Sequence, residues 1–327
     1  MPQTVQLQRP CKGVVSIAIP TPYAIGDVNV YLLEGETLTL VDTGNYTKEA
    51  WNALVKGIEA AGYRVTDLKQ VVLTHFHEDH TGLAHRLKER TGATVLSHPD
   101  TAIWLREEAD FMEWRTRFFQ EMYGRAGLTR EQIYQIHEKY LYWRKYGHSC
   151  EVDQTLNDGD QLPALPEWRV LYTPGHSHTH LSLYRESDQT MLLGDHLIAH
   201  ISSNAFMEPT VRSGEGRVKS LIRYWAELQK LKAIPIRIGL SGHGVPITDH
   251  VSLIERRYGS ILRRCNQIAG LLADGEQNTL QLALRLFPNH QNQMALILSE
   301  TLGHLDWLEA EGRIHKISRS GVDWYSV

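Results

Sequence analysis

The chain of 327 residues contains little cysteine, no excess of basic charge and no long apolar run. Its three cysteines, Cys11, Cys150 and Cys265, are too widely spaced for a CxxC zinc site and too few for a disulfide framework. No segment approaches the roughly 18 apolar residues of a membrane span, and the N-terminus lacks the apolar core of a signal peptide. These absences predict a soluble cytoplasmic protein with no membrane partner.

The charge balance gives no bulk attraction to nucleic acid. The formal net charge is −4, with 22% charged and 42% hydrophobic residues. A mildly acidic chain does not attract phosphate backbones in general, although a local basic groove would be compatible with it. A small-molecule substrate is therefore favoured over nucleic acid as the partner.

Histidine, by contrast, is plentiful, and three of the 17 fall in the heptapeptide THFHEDH, residues 74–80. The heptapeptide follows a short apolar run that predicts a buried strand. In an extended stretch His75 and His77 point to the same side, so both rings can reach one ion. Asp79 and His80 follow where the chain bends and can reach a second ion. Imidazole and carboxylate ligands at this density indicate zinc, with iron or manganese as alternatives.

Three later residues repeat the pattern of a ligand type at the end of a predicted strand. His176, Asp195 and His243 each follow a glycine, which lets the backbone turn sharply. A single Gly-His or Gly-Asp step is usually only a turn. Together with the heptapeptide, the three residues complete two coordination spheres.

Five motifs occur in a fixed order: VDTG (41–44), THFHEDH (74–80), TPGHS (173–177), LGDH (193–196) and SGHG (241–244). In this order they resemble the metallo-β-lactamase superfamily, over roughly residues 14–250. The resemblance implies an α/β fold, an αββα sandwich with the metals at one edge between the sheets.

The resemblance also implies a role for each residue of the site. One metal would be bound by His75, His77 and His176, the other by Asp79, His80 and His243, with Asp195 bridging the two. Asp42 would hydrogen-bond to the ligand loop rather than touch a metal, and His180 would support the site in the same way. Asp79 would in addition hold the nucleophile and shuttle its proton, which makes it the candidate catalytic residue.

Three departures exclude particular branches of the superfamily. Position 77 is His, whereas the diiron oxygen-reducing branch has Glu there. In the thiolate-ligated β-lactamases a cysteine binds the second metal, whereas no cysteine of this chain occupies a ligand position. His243 is followed by Gly-Val-Pro rather than by the ending common in glyoxalase II, which puts glutathione thioesters in doubt but leaves thioester hydrolysis in general open.

Residues 101–148 are predicted to be a helical insertion in the hydrolase domain, and they are crowded with aromatic side chains. A helical pair packed on itself is one interpretation. The other is a lid over the site or a subunit contact, the latter making a homodimer.

The last 77 residues or so have a different character. Two helices, a third helix over about 293–311 and a closing hairpin resemble the small winged-helix extension of some hydrolases of this superfamily. The predicted domains are thus a hydrolase domain, 1–250, and a winged-helix-like domain, 251–327. The third helix has no Lys or Arg, so we expect it to pack against protein rather than read DNA.

The predicted function is a dinuclear metal-dependent hydrolase that uses a metal-bridging hydroxide on an ester or thioester of a small organic acid. A phosphodiesterase or endoribonuclease, and a lactonase, are the alternatives. A winged-helix binding protein whose hydrolase fold has lost activity is a third reading, against which the complete ligand set argues.

Overall fold

The computed structural model describes residues 7–212 and 217–327. The strands are, in chain order, β1 (Leu7–Cys11), β2 (Val14–Ile19), β3 (Val28–Leu33), β4 (Thr39–Val41), β5 (Gln70–Val72), β6 (Thr94–Ser97), β7 (Gln154–Thr155), β8 (Gln161–Leu162), β9 (Leu165–Tyr172), β10 (Leu181–Arg185), β11 (Thr190–Gly194), β12 (Ile238–Ser241), β13 (Gln277–Asn278), β14 (His315–Arg319) and β15 (Val322–Ser326). The helices are α1 (Lys48–Ala60), α2 (Glu78–Thr81), α3 (Ala84–Thr91), α4 (Pro99–Arg106), α5 (Ala109–Arg125), α6 (Arg130–Arg144), α7 (Ser220–Lys232), α8 (His250–Ala273), α9 (Thr279–Leu286) and α10 (Met294–Ala310).

The first sheet holds β1 to β7 in sequence order, antiparallel as far as β4 and parallel from β4 to β7. In strand β2, successive side chains point to opposite faces of the sheet. Ile17 and Ile19 pack in a cluster with Leu54 and Ile58 of α1, whereas Val14 faces the opposite side. Because the side chains alternate, one face of the sheet packs against helices and the other packs against a second sheet.

The second sheet has the order β12-β11-β10-β9-β8 and lies against the first. Val41 and Leu96 of the first sheet share a buried cluster with Leu183 and Leu240 of the second. The outer face of the second sheet is covered by α7 and α8. The layers are therefore helix, sheet, sheet and helix, as the sequence resemblance implied.

The carboxyl ends of β4, β5, β9, β11 and β12 lead into the loops that carry the candidate ligands. Direct hydrogen bonds join the two sheets at this edge. The Leu181 amide donates to the Thr74 carbonyl (2.8 Å), and the Asn29 amide donates to the Gly242 carbonyl (2.6 Å). Backbone bonds of this kind hold the ligand loops at a fixed separation.

The insertion consists of three helices, α4 to α6, rather than the pair that we considered from the sequence. Phe118 and Met122 of α5 pack with Leu298 and Leu302 of α10 in one buried cluster. Part of the apolar surface of the insertion is therefore buried against α10 of the same chain. A lid and a homodimer contact stay predictions.

The C-terminal part follows the predicted order, with an additional short strand, β13, that makes a three-stranded sheet β13-β15-β14. Ile261 and Ile268 of α8 share a buried cluster with Leu193 and Tyr224 from the preceding part of the chain. Helix α10 is buried along most of its length, so it does not present a free face to nucleic acid. The winged-helix class and the boundary at residue 250 stay predictions.

Two further expectations concern cysteine and the membrane. All three cysteines are unpaired, and Cys150 and Cys265 are buried. Within residues 7–212 and 217–327, no helix has the length and apolarity needed to cross a bilayer.

Candidate metal centre

The heptapeptide THFHEDH does not continue strand β5 but bends away from it. The strand ends at Val72, residues 74–76 form a bend, and α2 begins after His77. His75 Nε2 and His77 Nδ1 nevertheless lie 2.9 Å apart. The two rings thus converge through a bend, and with different nitrogens, rather than through the alternation of an extended strand that the sequence predicted.

His176, in the loop after β9, completes a cluster of three imidazoles. Its Nε2 is 3.1 Å from His77 Nδ1. Its Nδ1–H donates to the Asn204 carbonyl (3.0 Å), and His75 Nδ1 is hydrogen-bonded to the Thr74 hydroxyl (2.9 Å). The outer nitrogens are occupied, so the inner ones carry lone pairs that face each other at close range. Three such lone pairs repel unless a cation lies between them, and zinc prefers this donor type.

A second cluster lies beside the first and contains Asp79, His80 and His243. His243 Nε2 is 3.3 Å from Asp79 Oδ2, and His80 Nε2 is 3.8 Å from Asp79 Oδ1. The outer nitrogen of His80 donates to Asp42 Oδ2 (2.8 Å), and that of His243 donates to the Asp27 carbonyl (2.8 Å). The inner nitrogens of both rings are buried without a hydrogen-bond partner.

Asp195 lies between the two clusters. Its Oδ2 is 3.5 Å from His176 Nε2, and its Oδ1 is 3.5 Å from His80 Nε2. Oδ1 is buried and accepts no hydrogen bond, whereas the Asp195 amide donates to His180 Nε2 (3.1 Å). Buried polar atoms are almost always paired. Those left without a partner here all point into one space, so the residues fit divalent metal ions.

Asp42 supports the ligand loop and does not face the cluster. Its carboxylate accepts from the Thr74 amide (2.8 Å), the Thr74 hydroxyl (2.9 Å) and His80 Nδ1–H (2.8 Å). Its φ is 61°, in the left-handed region that side chains other than glycine seldom adopt. Such strain persists where surrounding contacts determine the conformation, as these three do.

The glycines before the later ligands serve two purposes. Gly175 and Gly194 have φ of 152° and 48°, so both turn the chain as the sequence predicted. Gly242 does not have a positive φ. A Cβ atom there would lie 2.3 Å from Asp195 Oδ1, so glycine is needed for close approach and not for a turn.

The electrostatics keep the acids ionised and two of the rings neutral. Burial raises the pKa of Asp79, but His80 and His243 outweigh it and lower the value to about 2. Burial lowers the pKa of His176 to about 4 and holds that of His75 well below its usual range. The pKa of His80 and His243 is lowered by burial but raised more strongly by the neighbouring carboxylates, so a metal bound there would displace their protons.

Glu208 is a residue of the site that the sequence reasoning missed. It is 6% exposed and accepts from His77 Nε2–H (3.3 Å). The ring of Phe206, two residues earlier in the chain, packs edge-on against His77 and His176, with centroid distances of 5.1 and 5.3 Å. Glu208 does not follow a predicted strand or a glycine, as the candidate ligands do. No pattern in the sequence therefore distinguished it from an exposed glutamate.

Aromatic side chains border the centre on the side of the insertion. The Tyr23 ring lies 5.3 Å from that of Trp143 and 6.2 Å from that of Tyr146, just beyond the end of α6. Burial raises the pKa of Tyr23, and the charges of Glu78 and Asp79 add to the effect. The Tyr23 hydroxyl accepts from the Asn45 side chain (3.2 Å), so this aromatic group packs against the loop that follows β4.

The family described as the metallo-beta-lactamase superfamily matches residues 24–243. The chain belongs to the metallo-β-lactamase superfamily. The probable metallo-hydrolase YqjP of Bacillus subtilis (strain 168) is 36% identical over 306 residues, covering 93% of this chain and 94% of that protein. The atrochrysone carboxyl ACP thioesterase nsrC of Aspergillus novofumigatus is 23% identical over 262 residues, covering 79% of this chain and 62% of the relative.

Two solved structures of this superfamily's fold match nearly the whole chain. The metallo-beta-lactamase family protein TTHA1429 from Thermus thermophilus has a TM-score of 0.78 and 28% identity, covering 97% of this chain and 99% of that one. A beta-lactamase domain protein from Burkholderia ambifaria has a TM-score of 0.80 and 21% identity, covering 100% and 96%. The shared fold therefore includes the insertion and the C-terminal part.

Proposed function

We propose that the chain is a dinuclear metal-dependent hydrolase. One metal would be held by His75, His77 and His176 and the other by Asp79, His80 and His243, with Asp195 bridging the two. The observation that supports this most strongly is the position of Asp195, whose two oxygens each lie 3.5 Å from a ring of a different cluster. The nitrogen-rich donor set favours zinc, with iron or manganese as alternatives.

Two divalent ions would supply a water whose pKa falls from 15.7 to about 7, together with polarisation of the bond under attack. The chain's own residues then do the rest. The Asp79 side chain is 12% exposed and lies at the edge of the cluster. There its carboxylate would orient the attacking water and accept its proton. The outer hydrogen bonds of the histidines keep each ring in the tautomer that faces inward.

For the substrate we propose an ester or a thioester of a small organic acid. The aromatic group of Tyr23, Trp143 and Tyr146, which packs against the loop after β4, would suit an apolar acyl group. Several relatives are named as thioesterases, which supports the thioester among the bonds that such a centre can hydrolyse. Lactones and phosphodiesters are the alternatives, and the burial of α10 weighs against RNA as a ligand of that helix.

The test combines metal analysis with a substrate panel. We expect close to two metals per chain, loss of turnover on chelation and recovery on adding zinc. Acyl thioesters and aryl esters should be hydrolysed faster than bis-nitrophenyl phosphate, lactones or a single-stranded RNA. A metal content near zero would overturn the hydrolase, whereas fastest turnover of the phosphodiester or RNA would overturn only the substrate class.

A further inference from the structure

Glu208 is the centre of a buried hydrogen-bond network beside the candidate metal cluster. Its Oε1 accepts from His77 Nε2–H (3.3 Å). Its Oε2 accepts from the His178 amide (2.9 Å), His178 Nδ1–H (2.8 Å) and the Ser177 hydroxyl (3.2 Å). Because both oxygens are used, the carboxylate cannot rotate without breaking several bonds. It therefore holds the outer nitrogen of His77 in one direction.

The network continues from Glu208 into the insertion. Trp104 of α4 donates its indole N–H to His178 Nε2 (3.3 Å). The same indole stacks on Phe76, with ring centroids 3.8 Å apart and planes 8° from parallel. Phe76 lies between His75 and His77 in the chain, so Trp104 supports the ligand loop both directly and through His178.

A third set of contacts ties the backbone beside Glu208 to the C-terminal part. The Met207 amide donates to the Ser299 hydroxyl (2.8 Å), which in turn donates to the Ala205 carbonyl (3.2 Å). The Asn204 side chain donates to the Leu296 carbonyl of α10 (3.3 Å), while its own backbone carbonyl accepts from His176. Residues 204–208 are thus fixed on α10 while they contact two of the candidate ligands.

We propose that Glu208 is a positioning residue that fixes His77 with Nδ1 directed at the metal. Trp104 and His178 hold Glu208 from the insertion, and Ser299 holds its loop from α10. The inference rests on the proposed function in one respect only, that His77 binds a metal. Partners of metal-ligating histidines typically contribute about 10–100-fold to metal affinity.

The experiment measures metal affinity in the full chain rather than activity. Metal-free wild type, Glu208→Gln, Glu208→Ala and Trp104→Phe are titrated with zinc against a chromophoric chelator. The cobalt(II) form of each gives an absorption spectrum that reports the ligand geometry. Asp323→Asn is the matched control, since Asp323 is a buried acid (8% exposed) that accepts two bonds from Arg125, at 2.9 and 3.1 Å, outside the metal centre.

We expect the dissociation constant for zinc to rise about 10–100-fold in Glu208→Ala. Glu208→Gln should lose less, because its amide oxygen can still accept from His77 but its amide nitrogen cannot accept from His178. Trp104→Phe keeps the stacking on Phe76 and should weaken binding least. The cobalt spectrum should change in the Glu208 variants and stay as in wild type in Asp323→Asn.

Two outcomes would overturn the proposal. One is wild-type affinity and an unchanged cobalt spectrum in Glu208→Ala, with the wild type binding metal normally. The other is an equal loss of affinity in Asp323→Asn, which would assign the effect to general destabilisation. If the wild type itself binds no metal, it is the proposed function that fails, and the two failures are therefore distinguishable.

Discussion

At the scale of single residues, the candidate centre is a set of polar atoms that are costly to bury unless something binds them. His80 Nε2, His243 Nε2 and Asp195 Oδ1 are buried without a partner. Leaving a buried polar group unpaired costs about 1–3 kcal/mol, and more when it is charged. Because the three atoms lie in one space, a metal bound there would satisfy all of them at once, so we expect metal to stabilise the fold.

Asp195→Asn is the sharpest test at this scale. The amide has nearly the same shape, and the backbone bond to His180 is kept, but one anionic oxygen between the two clusters is lost. We expect metal content to fall and kcat to drop by at least about 100-fold, because even the outer partners of metal ligands contribute about 10–100-fold. Metal analysis and steady-state kinetics check this. Near-normal turnover would show that Asp195 does not bridge.

The Asp42→Asn variant tests the hydrogen bonds that Asp42 makes to the ligand loop without changing the strain of its backbone. Asparagine tolerates the left-handed region, so the φ of 61° adds little cost in this variant. It can still accept from either His80 or Thr74, but not from all three donors that Asp42 serves. We expect about tenfold weaker metal binding with a melting temperature of the metal-free protein close to wild type. A large fall in that temperature would instead assign Asp42 to the fold.

At the scale of elements, the insertion contains a cation on the buried face of α5. Arg115 is 7% exposed, its guanidinium lies 3.7 Å from the ring centre of Tyr140, and its Nε has no hydrogen-bond partner. Burial of a charge without an ion pair is unfavourable, and the contact with an aromatic ring offsets only about 0.5–2 kcal/mol of it. We therefore expect Arg115 to contribute little to the stability of the insertion.

Arg115→Met should accordingly leave the free energy of unfolding unchanged or raise it, since an unbranched apolar side chain occupies similar space without the cost of burying an unpaired charge. Urea denaturation of the metal-loaded protein measures this, with Phe118→Ala as a contrast. Phe118 is buried on the same helix, and its truncation should cost about 3–5 kcal/mol. A loss in Arg115→Met as large as that in Phe118→Ala would contradict the argument.

At the scale of the whole molecule, the C-terminal helices complete the core of the hydrolase. Ile254, Ile261 and Ile268 of α8 lie in one cluster with Leu193 and Tyr224. Removing them would expose the apolar outer side of the second sheet to water, at about 25 cal/mol for each Å². Residues on both sides of position 250 therefore share one buried cluster, and the domain boundary there stays a prediction.

Truncation after residue 250 tests this directly. We expect the product, residues 1–250, to be insoluble or to bind a hydrophobic dye with loss of cooperative unfolding, because the outer face of the second sheet would lose its cover. Gel filtration, dye fluorescence and circular dichroism measure these properties. A truncated protein that unfolds cooperatively and retains its metals would instead show that residues 1–250 fold without residues 251–327.

Much of the fold could be predicted because it depends on local patterns. The apolar run before the heptapeptide indicated the buried strand β5, and the third C-terminal helix, expected over about 293–311, is observed as α10 (Met294–Ala310). The bend at residues 74–76 could not be predicted, because it depends on hydrogen bonds to Asp42, which is distant in sequence. Glu208 was missed for the same reason, since its partners lie at least 30 residues away.

The sequence by itself determined the family through its spaced motifs, and the resemblance that these motifs carry implied the αββα architecture and the candidate ligands, because motifs are local properties that a chain carries without folding. Only the tertiary structure decided which nitrogen of each histidine points inward, why Gly242 must be glycine, and that Glu208 lies beside His77. Those features depend on atoms that come together from distant parts of the sequence. Their positions follow from the packing of two sheets, an insertion and α10 around one edge, and no local pattern encodes that packing.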